Sequence, residues 1–266
     1  MFENKIIAIT GGTDGIGKAL VQAFLKRGAN VATCSRTPEK LAQLKTEFAE
    51  KSLFTVMADV SKEEDCKNFI EKTIEEFKGI DVLINNAGIS MRALFKDTDL
   101  TTLKKVMDIN FWGTVYCTKY ALDAIIERKG TIVGVASIAG YRGLPGRSGY
   151  SASKAAVIRW METLRTELLD TGVNVMWVSP GFTASNTRYA ALGENAKPVM
   201  DSKLDEGKIM TAEECAGYII KAIEKRKRTL VLTFQGKEAL FMNKFFPSLA
   251  DKIIRKMYFK NGKMVK

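Results

Sequence analysis

The chain has 266 residues, a formal net charge of +11 and no histidine. The lack of histidine excludes a Ser-His-Asp triad, a histidine-ligated zinc site and an imidazole pH switch. With 46% hydrophobic and 27% charged residues, the composition suits a globular protein with a full core.

Short apolar, β-branched runs alternate with segments of helical periodicity along the chain. The runs predict strands over residues 5–10, 30–35, 53–58, 80–85, 130–137, 173–179 and 229–232. The segments between them predict helices over residues 15–27, 38–51, 62–77, 101–128, 148–170 and 211–225. This alternation predicts one α/β domain, a Rossmann-like doubly wound parallel sheet of about seven strands with helices on both faces.

Three of the predicted helices carry start signals. Pro38 follows Thr37 and suits a first helical position. Residues 61–64 read Ser-Lys-Glu-Glu and residues 211–214 read Thr-Ala-Glu-Glu, so both stretches predict capping boxes.

A glycine turn follows the first predicted strand and opens the first helix. Gly11 permits a tight turn, Gly15 lets backbone amides approach a diphosphate, and Gly17 lets helix and strand pack closely. The spacing is one residue longer than the standard Gly-x-Gly-x-x-Gly pattern. The turn predicts a dinucleotide bound at a helix N-terminus. The other turn residues expected to contact it are Thr13, Asp14 and Ile16.

The end of the second predicted strand bears on the choice of cofactor. It carries Ser35 and Arg36 and no carboxylate. A hydroxyl and a guanidinium suit a ribose 2′-phosphate, whereas a carboxylate would bond a free 2′-hydroxyl. Asp14 opposes this preference if it points toward the phosphate. We therefore expect NADP(H) in preference to NAD(H). NAD(H) is the alternative cofactor.

Tyr150 and Lys154 lie four residues apart in the fifth predicted helix. This spacing puts the phenol and the ammonium on one face, about 5–6 Å apart at Cβ. In a chain without histidine, a tyrosine beside a fixed positive charge is the best available proton donor and acceptor. We expect Lys154 to lower the pKa of Tyr150 by stabilising the phenolate.

Six motifs, in order along residues 5–232, resemble those of the short-chain dehydrogenase/reductase family in its Tyr-x-x-x-Lys form. Listed in chain order, they are the turn Thr10–Gly17, Asp59-Val60 after the third strand, Asn85-Asn86-Ala87-Gly88 after the fourth, Asn110, Ser137 with Tyr150 and Lys154, and Pro180-Gly181 after the sixth. The resemblance implies hydride transfer between a nicotinamide cofactor and a carbonyl or alcohol, with no metal ion.

The resemblance also implies roles for individual residues. Tyr150 donates the proton, Ser137 hydrogen-bonds the reacting oxygen, and Asn110 holds a water that links Lys154 to solvent. Lys154 also bonds the nicotinamide ribose. Further cofactor contacts implied by the family are Asp59 and Val60 at the adenine, Asn86, Ala87 and Gly88 after the fourth strand, and Pro180 and Gly181 after the sixth. Either Thr183 or Ser185 would bond the nicotinamide amide.

The division of the chain follows from composition. We expect a catalytic domain over residues 1–234, with a lid at about 182–207, and a basic amphipathic extension over 235–266. The apolar stripe of the extension comprises Leu240, Phe241, Phe245, Phe246, Leu249, Ile253, Ile254 and Met257, and its basic flank comprises Lys244, Lys252, Arg255, Lys256 and Lys260. This pattern predicts a helix lying in a bilayer interface; the alternative is packing against the body or a second subunit. Similar tails occur in family members that resemble 3-ketosphinganine and steroid reductases.

The leading hypothesis is an NADPH-dependent ketone reductase acting on an apolar lipid-like substrate. The alternatives are an NAD-linked alcohol dehydrogenase of a small substrate and a nucleotide-binding scaffold without turnover.

We expect a cytoplasmic protein, because the N-terminus lacks signal-peptide features and the four cysteines show no paired spacing in the sequence. No nucleic-acid partner is expected, since no recognition motif accompanies the charge. The family resemblance implies a homodimer or homotetramer.

Overall fold

The computed structural model describes residues 2–181, 183, 190–199 and 209–265. Its main sheet has seven parallel strands in the order β3-β2-β1-β4-β5-β6-β7. They are β1 (Ile6–Thr10), β2 (Asn30–Ser35), β3 (Leu53–Met57), β4 (Val82–Asn85), β5 (Thr131–Val135), β6 (Asn174–Ser179) and β7 (Thr229–Val231). The predicted doubly wound parallel sheet is confirmed.

Helices cover both faces of this sheet. In chain order, the helices of the protein are α1 (Gly15–Leu25), α2 (Pro38–Glu47), α3 (Glu63–Phe77), α4 (Leu100–Met107), α5 (Gly113–Glu127), α6 (Ser148–Glu167), α7 (Ala212–Glu224), α8 (Phe234–Phe245) and α9 (Pro247–Tyr258), of which α8 and α9 belong to the C-terminal segment. One core cluster joins α1 and α7 to the sheet, and a second joins α3, α5 and α6 to its opposite face. Because the strand order reverses between β1 and β4, a ligand crevice is expected at the carboxyl ends of these two strands.

The helix predicted over residues 101–128 is interrupted. A π turn, Asp108–Trp112, separates α4 from α5. The Thr114 hydroxyl donates to the carbonyl oxygen of Asn110 at 3.0 Å, within this irregular stretch. One extra residue in a single turn hardly changes the spacing of apolar residues along a helix. The interruption was therefore not predicted from the sequence. Single π turns of this kind occur frequently at functional sites.

The predicted helix starts have different outcomes. Thr37 precedes Pro38 at the start of α2, and Thr211 and Glu214 form the reciprocal capping box of α7, so both predictions are confirmed. The capping box predicted at Ser61 is wrong. The helix α3 begins after Lys62, and the Ser61 hydroxyl donates to Asp59 Oδ1 at 2.8 Å, because a nearby carboxylate is the stronger acceptor.

The predicted lid at 182–207 falls largely outside the described residues. Within its described part, residues 190–199, Leu192 is buried and its carbonyl accepts from the Arg92 amide at 2.7 Å. The Asp99 amide donates to the carbonyl of Glu194 at 2.9 Å. These bonds attach residues 190–199 to the chain that follows β4.

The C-terminal segment, residues 234–265, consists of α8, α9 and a small hairpin of β8 (Phe259–Lys260) and β9 (Lys263–Met264). Asn243 of α8 bonds Arg142 and the carbonyl of Tyr141, and Asp251 of α9 pairs with Arg142. The segment therefore packs on the chain that follows β5, as one of the two sequence alternatives expected. The boundary at residue 234 stays a prediction. In the described part of the chain, no helix is both long and apolar enough to cross a bilayer.

Candidate active site

The glycine turn between β1 and α1 has the shape that a diphosphate requires. Gly11 and Gly15 have φ values of +69° and +48°, a region that glycine enters without steric cost. A Cβ at Gly17 would lie 2.2 Å from the Gly11 carbonyl oxygen and 2.5 Å from Asn86 Nδ2. The turn thus leaves backbone amides at a helix N-terminus with no side chain from these glycines, which fits a bound dinucleotide.

Hydrogen bonds between β1 and β4 hold this turn in place. The Thr10 hydroxyl accepts from the Asn86 amide at 3.0 Å and from the Ala87 amide at 2.9 Å. The Asn86 side chain donates back to the carbonyls of Thr10 and Gly11, at 3.0 and 3.2 Å. Asn86, predicted as a cofactor contact, therefore positions the glycine turn through its side chain.

A hydroxyl pair lies beside the turn, at the end of β2. The Thr13 hydroxyl donates to Ser35 Oγ at 3.1 Å, and Ser35 Oγ also accepts from the Thr37 amide at 3.2 Å. These contacts bring Thr13 and Ser35 together, as the cofactor prediction requires.

The charges near this pair were only partly predicted. Lys40, in the first turn of α2, forms a salt bridge with Asp14 at 3.0 Å. This pairing offsets the negative charge of Asp14. That charge was the sequence feature that opposed binding of a 2′-phosphate. Sequence reasoning missed Lys40, although a lysine two residues after a helix-starting proline was the available signal. Arg36 Nη1 lies 3.9 Å from Asp59 Oδ2, and both side chains are partly exposed.

The loop after β3 is tied down by its own side chains. Asp59 Oδ1 accepts from the Ser61 amide at 3.1 Å, and the Asp59 amide donates to Asp65 Oδ2 at 2.8 Å. The Val60 carbonyl accepts from Cys66 Sγ at 3.3 Å. Asp59 and Val60 are thus held in place just after the carboxyl end of β3.

Asn110 lies buried in the π turn, directly behind Gly88. Its Oδ1 accepts from the Ile89 amide at 2.8 Å, and its Nδ2 donates to the Ile89 carbonyl and to Ser153 Oγ, both at 2.9 Å. Both amide hydrogens are therefore used, so a water at this place could only donate to the oxygens of Asn110. Ser153, which sequence reasoning missed, is the residue that orients this amide.

Lys154 is buried next to the same glycine. Its Nζ donates to the carbonyl of Val135 at 2.7 Å, and a Cβ at Gly88 would lie 3.2 Å from that Nζ and 3.1 Å from Asn110 Oδ1. Burial lowers the pKa of Lys154 from 10.5 to about 8. Gly88 therefore leaves the lysine and the asparagine room side by side.

Tyr150 lies one turn earlier on α6 and hydrogen-bonds with the Ser137 side chain. Burial raises the pKa of Tyr150, while the hydrogen bond with Ser137 and the charge of Arg147 partly offset that rise. The expectation that Lys154 lowers this pKa is wrong for the structure described. The Lys154 ammonium is bonded to the Val135 carbonyl and lies 6.0 Å from the centre of the Tyr150 ring.

This correction changes which protonation state the site favours. A phenol with a raised pKa is neutral, and a neutral phenol can donate its proton to an oxygen that gains negative charge. The Ser137 Oγ, which accepts from the Ala139 amide at 3.2 Å, keeps its own hydrogen as a second donor. The arrangement can therefore supply a proton and a hydrogen bond at one place.

The end of β6 closes the site from another side. The Pro180 carbonyl accepts from the Ile138 amide at 3.3 Å, and the Thr183 hydroxyl donates to the Gly181 carbonyl at 3.3 Å. Thr183 is mostly buried, and Ser185, the alternative contact to the nicotinamide amide, lies outside the described residues.

Known proteins resemble this chain in sequence. The family model for short chain dehydrogenases matches residues 5–195. An 11-beta-hydroxysteroid dehydrogenase of Pinus massoniana is 33% identical over 266 residues, which cover 96% of this chain and 74% of that protein. The 11-beta-hydroxysteroid dehydrogenase-like 6 protein of Arabidopsis thaliana is 38% identical over 238 residues, 85% of this chain and 69% of the relative.

Solved structures resemble it in fold. A short-chain dehydrogenase from Streptomyces avermitilis superposes with a TM-score of 0.81 at 24% identity, over 97% of this chain and 100% of that one. The structure of ElxO with NADP bound gives a TM-score of 0.74 at 29% identity, over 86% of this chain and 96% of that one.

Proposed function

The chain belongs to the short-chain dehydrogenase family, and from that premise we propose that it is an NADPH-dependent reductase of ketones. It is an NAD(P)-dependent oxidoreductase, as its dehydrogenase relatives indicate. The observation that carries the proposal is the partly buried, neutral Tyr150 phenol, which lies beside Ser137 and one helical turn from Lys154.

NADPH supplies the hydride when it is bound. Tyr150 donates its proton to the carbonyl oxygen of the substrate, and Ser137 hydrogen-bonds the same oxygen as negative charge grows on it. Lys154, bonded to the Val135 carbonyl with its ammonium 6.0 Å from the centre of the Tyr150 ring, binds the nicotinamide ribose and so aligns the cofactor with the phenol. Asn110 supports the part of α6 that carries Tyr150 and Lys154, because its side-chain amide bonds both Ile89 and Ser153.

The residues that would hold the cofactor lie along the carboxyl edge of the sheet. The amides of the glycine turn hold the diphosphate, Asp59 and Val60 the adenine, Lys154 the nicotinamide ribose, and Thr183 the nicotinamide amide. The remaining contacts are backbone groups of Ala87, Gly88, Pro180 and Gly181. The support for this assignment is the positive φ of Gly11 and Gly15 and the room that Gly88 leaves beside Lys154.

The preference for NADPH over NADH rests on the charges beside β2. Arg36 and Ser35 can take a 2′-phosphate, and Lys40 offsets the negative charge of Asp14. ElxO, a structural neighbour, has NADP bound. The test compares kcat/KM for NADPH and NADH in the wild type, Arg36→Ala and a control, Lys45→Ala, on the exposed side of α2.

We expect the NADPH preference to fall at least about tenfold in Arg36→Ala, the loss of one charge-assisted hydrogen bond, and to persist in Lys45→Ala. A wild type that favours NADH would contradict this preference and support the NAD-linked alcohol dehydrogenase.

Replacing Tyr150 tests the reaction itself. Tyr150→Phe should lower turnover by about 10²–10⁴-fold, the usual contribution of a general acid. NADPH binding, measured by its fluorescence, should persist. The control is Tyr218→Phe, an exposed tyrosine of α7. Substrates are a panel of steroid, 3-keto-sphingoid, sugar and short ketones, followed by NADPH absorbance.

Retained turnover in Tyr150→Phe would remove the phenol from the mechanism. Binding of NADPH without turnover of any ketone or alcohol by the wild type would support the nucleotide-binding scaffold.

We further propose that the substrate is apolar and lipid-like, and that the C-terminal segment contacts an anionic membrane from the cytoplasmic side. Several large apolar side chains are exposed on it: Phe234, Phe241, Phe245, Phe246, Leu249, Ile253 and Met257. Lysines and arginines flank them, as on helices that lie in a bilayer interface. The relatives named as hydroxysteroid dehydrogenases support an apolar substrate.

Liposome co-sedimentation tests this contact. The full chain should bind vesicles that contain phosphatidylglycerol more strongly than vesicles of phosphatidylcholine alone. The double variant Phe241→Ser, Phe245→Ser should lose this binding. The control variant Leu169→Ser, which replaces an exposed leucine outside the C-terminal segment, should keep it. Equal sedimentation of all three proteins would contradict the proposal.

A homodimer or homotetramer completes the proposed assembly. Trp112 is 43% exposed and stacks on Tyr116 with ring centres 5.7 Å apart, at the π turn and the start of α5. Such an exposed aromatic pair suits a subunit interface. Light scattering after size-exclusion chromatography should give at least twice the monomer mass for the wild type and a smaller mass for Trp112→Ser.

A further inference from the structure

We propose that Arg147 binds an acidic group on the substrate, so that the preferred ketone is an amphipathic keto acid. The inference rests on the proposed ketone reductase and names the substrate class of that same site. Arg147 directly precedes the first residue of α6, and Tyr150 follows three residues later.

The first observation is a partly buried guanidinium that has no partner among the described residues. Among the residues that the structure describes, Arg147 has no side-chain hydrogen bond and no ion pair, although its side chain is half-buried. Two other half-buried arginines have protein partners. Arg142 bonds Asn243 and Asp251, and Arg165 bonds two backbone carbonyls. A half-buried cation gives up hydration, and a ligand with negative charge would restore its interactions.

The second observation is where this cation lies. Along α6, Lys154 is on the cofactor side of Tyr150, since its ammonium reaches Gly88 and Val135. Arg147 is displaced from Tyr150 in the opposite direction along the helix, by about 4.5 Å at a rise of 1.5 Å per residue. Burial raises the pKa of Tyr150 and of Tyr258, and the charge of Arg147 partly offsets both rises, so the guanidinium lies near both phenols. Arg147 thus lies on the side of the phenol that faces away from the cofactor.

The third observation concerns the chain around Arg147. The Gly146 carbonyl accepts from the Ala93 amide at 3.0 Å, which places the Arg92 segment beside Arg147. The charge of Arg92 also offsets part of the rise that burial causes in the pKa of Tyr258. On the third side, Met264 of the C-terminal segment packs against Gly146. Two arginines and a tyrosine from three separate segments therefore lie around this place.

A neutral apolar ketone would leave this positive charge without a partner. A keto acid would place its carbonyl at Tyr150 and Ser137 and its acidic group at Arg147, while its hydrocarbon chain bridges the two. Hydrogen bonds to charged groups favour such a ligand by about ten- to a hundredfold over its uncharged counterpart.

The experiment compares ligands that differ in charge but hardly in shape. Straight-chain keto acids of increasing length and their primary amides serve as substrates with NADPH, in the wild type, Arg147→Ala, Arg147→Lys and Arg159→Ala. The last is the control, an exposed arginine on the same helix that pairs with Glu162. Calorimetry with octanoate and octanamide, in the presence of NADP, gives a readout that needs no turnover.

For at least one chain length, we expect the wild type to favour the acid over the amide by at least about tenfold in kcat/KM, mainly through KM. Arg147→Ala should abolish the preference, Arg147→Lys should restore part of it, and Arg159→Ala should keep it. Because the charge of Arg147 also acts on the Tyr150 pKa, its removal can change turnover of both ligands equally. The ratio of acid to amide isolates the binding of the acidic group.

Equal use of acid and amide by the wild type at every chain length, or a preference that survives in Arg147→Ala, would overturn the inference. If no ketone of any kind is reduced, the proposed function fails instead. The calorimetric difference between octanoate and octanamide then decides on Arg147 by itself, and no difference in the wild type would overturn the inference.

Discussion

The glycine turn and the C-terminal segment differ in what encloses their backbones. At Gly17 an added Cβ would meet the carbonyl oxygen of Gly11, which cannot move without breaking the turn. At Gly236, in α8, an added Cβ would meet the end of the Ile138 side chain, which can change rotamer. The cofactor end of the molecule is therefore rigid before any ligand binds, while the C-terminal segment can adjust.

The same contrast holds for their polar contacts. The Thr10 hydroxyl and the Asn86 amide tie the glycine turn to the end of β4 by three partly buried bonds. The C-terminal segment is tied to the body through Asn243 and Asp251, and the latter is largely exposed. The contacts that hold the glycine turn are therefore less exposed to solvent than the ion pair of the C-terminal segment.

The largest expected effect is at Gly17. Gly17→Ala should prevent folding or cost more than about 4 kcal/mol, because backbone atoms occupy the space of the new methyl group. Gly236→Ala should cost less, about 1–3 kcal/mol for overpacking against a side chain. Thermal denaturation checks both. Gly217→Ala is the control, since nothing lies within 4 Å of its Cβ and a helix favours alanine. Equal losses at Gly17 and Gly236 would contradict the comparison.

The second effect is a pH dependence at Lys154. Its pKa is about 8 when folded against 10.5 for the free side chain, so the unfolded chain binds more protons between these values. The free energy of unfolding of the wild type should therefore rise relative to Lys154→Met, by about 2–3 kcal/mol, as the pH goes from 8 to 10.

Urea denaturation at a series of pH values measures this difference. The control is Lys119→Met, an exposed lysine of α5, which should show no such rise. A difference between the wild type and Lys154→Met that does not change with pH would contradict burial of the charged amine.

The third effect is at Thr10, which holds the glycine turn. Thr10→Val keeps the shape but leaves the Asn86 and Ala87 amides without their acceptor, at a cost of about 1–3 kcal/mol. NADPH affinity should fall as well, because the turn loses its tie to β4. Thr10→Ser retains the hydroxyl and should keep the affinity. If Thr10→Val binds NADPH as the wild type does, the turn is held by its glycines alone.

The smallest effect is at the C-terminal segment. Asp251→Asn removes the ion pair with Arg142 and should cost less than about 1 kcal/mol, as exposed pairs do. Amide hydrogen exchange of α9 should nevertheless become faster, with no change in α1. Unchanged exchange in α9 would show that its packing does not depend on this pair.

Much of the fold was predictable because apolar periodicity and glycine spacing act locally. The strands and the two confirmed helix starts follow from such short-range patterns. The π turn at Asn110 and the failed cap at Ser61 were not predictable, since each depends on which hydrogen-bond partner wins in the folded chain. The lid over 182–207 stays a prediction.

The candidate site divides in the same way. By itself, the sequence determined the glycine turn, the Tyr150–Lys154 spacing and the order of the family motifs, because each is a pattern of neighbours along the chain. Only the tertiary structure decided that Lys154 bonds the Val135 carbonyl, that Lys40 offsets Asp14 and that Arg147 has no described partner. Burial and pairing depend on residues distant in sequence, and they set the charges on which the chemistry depends.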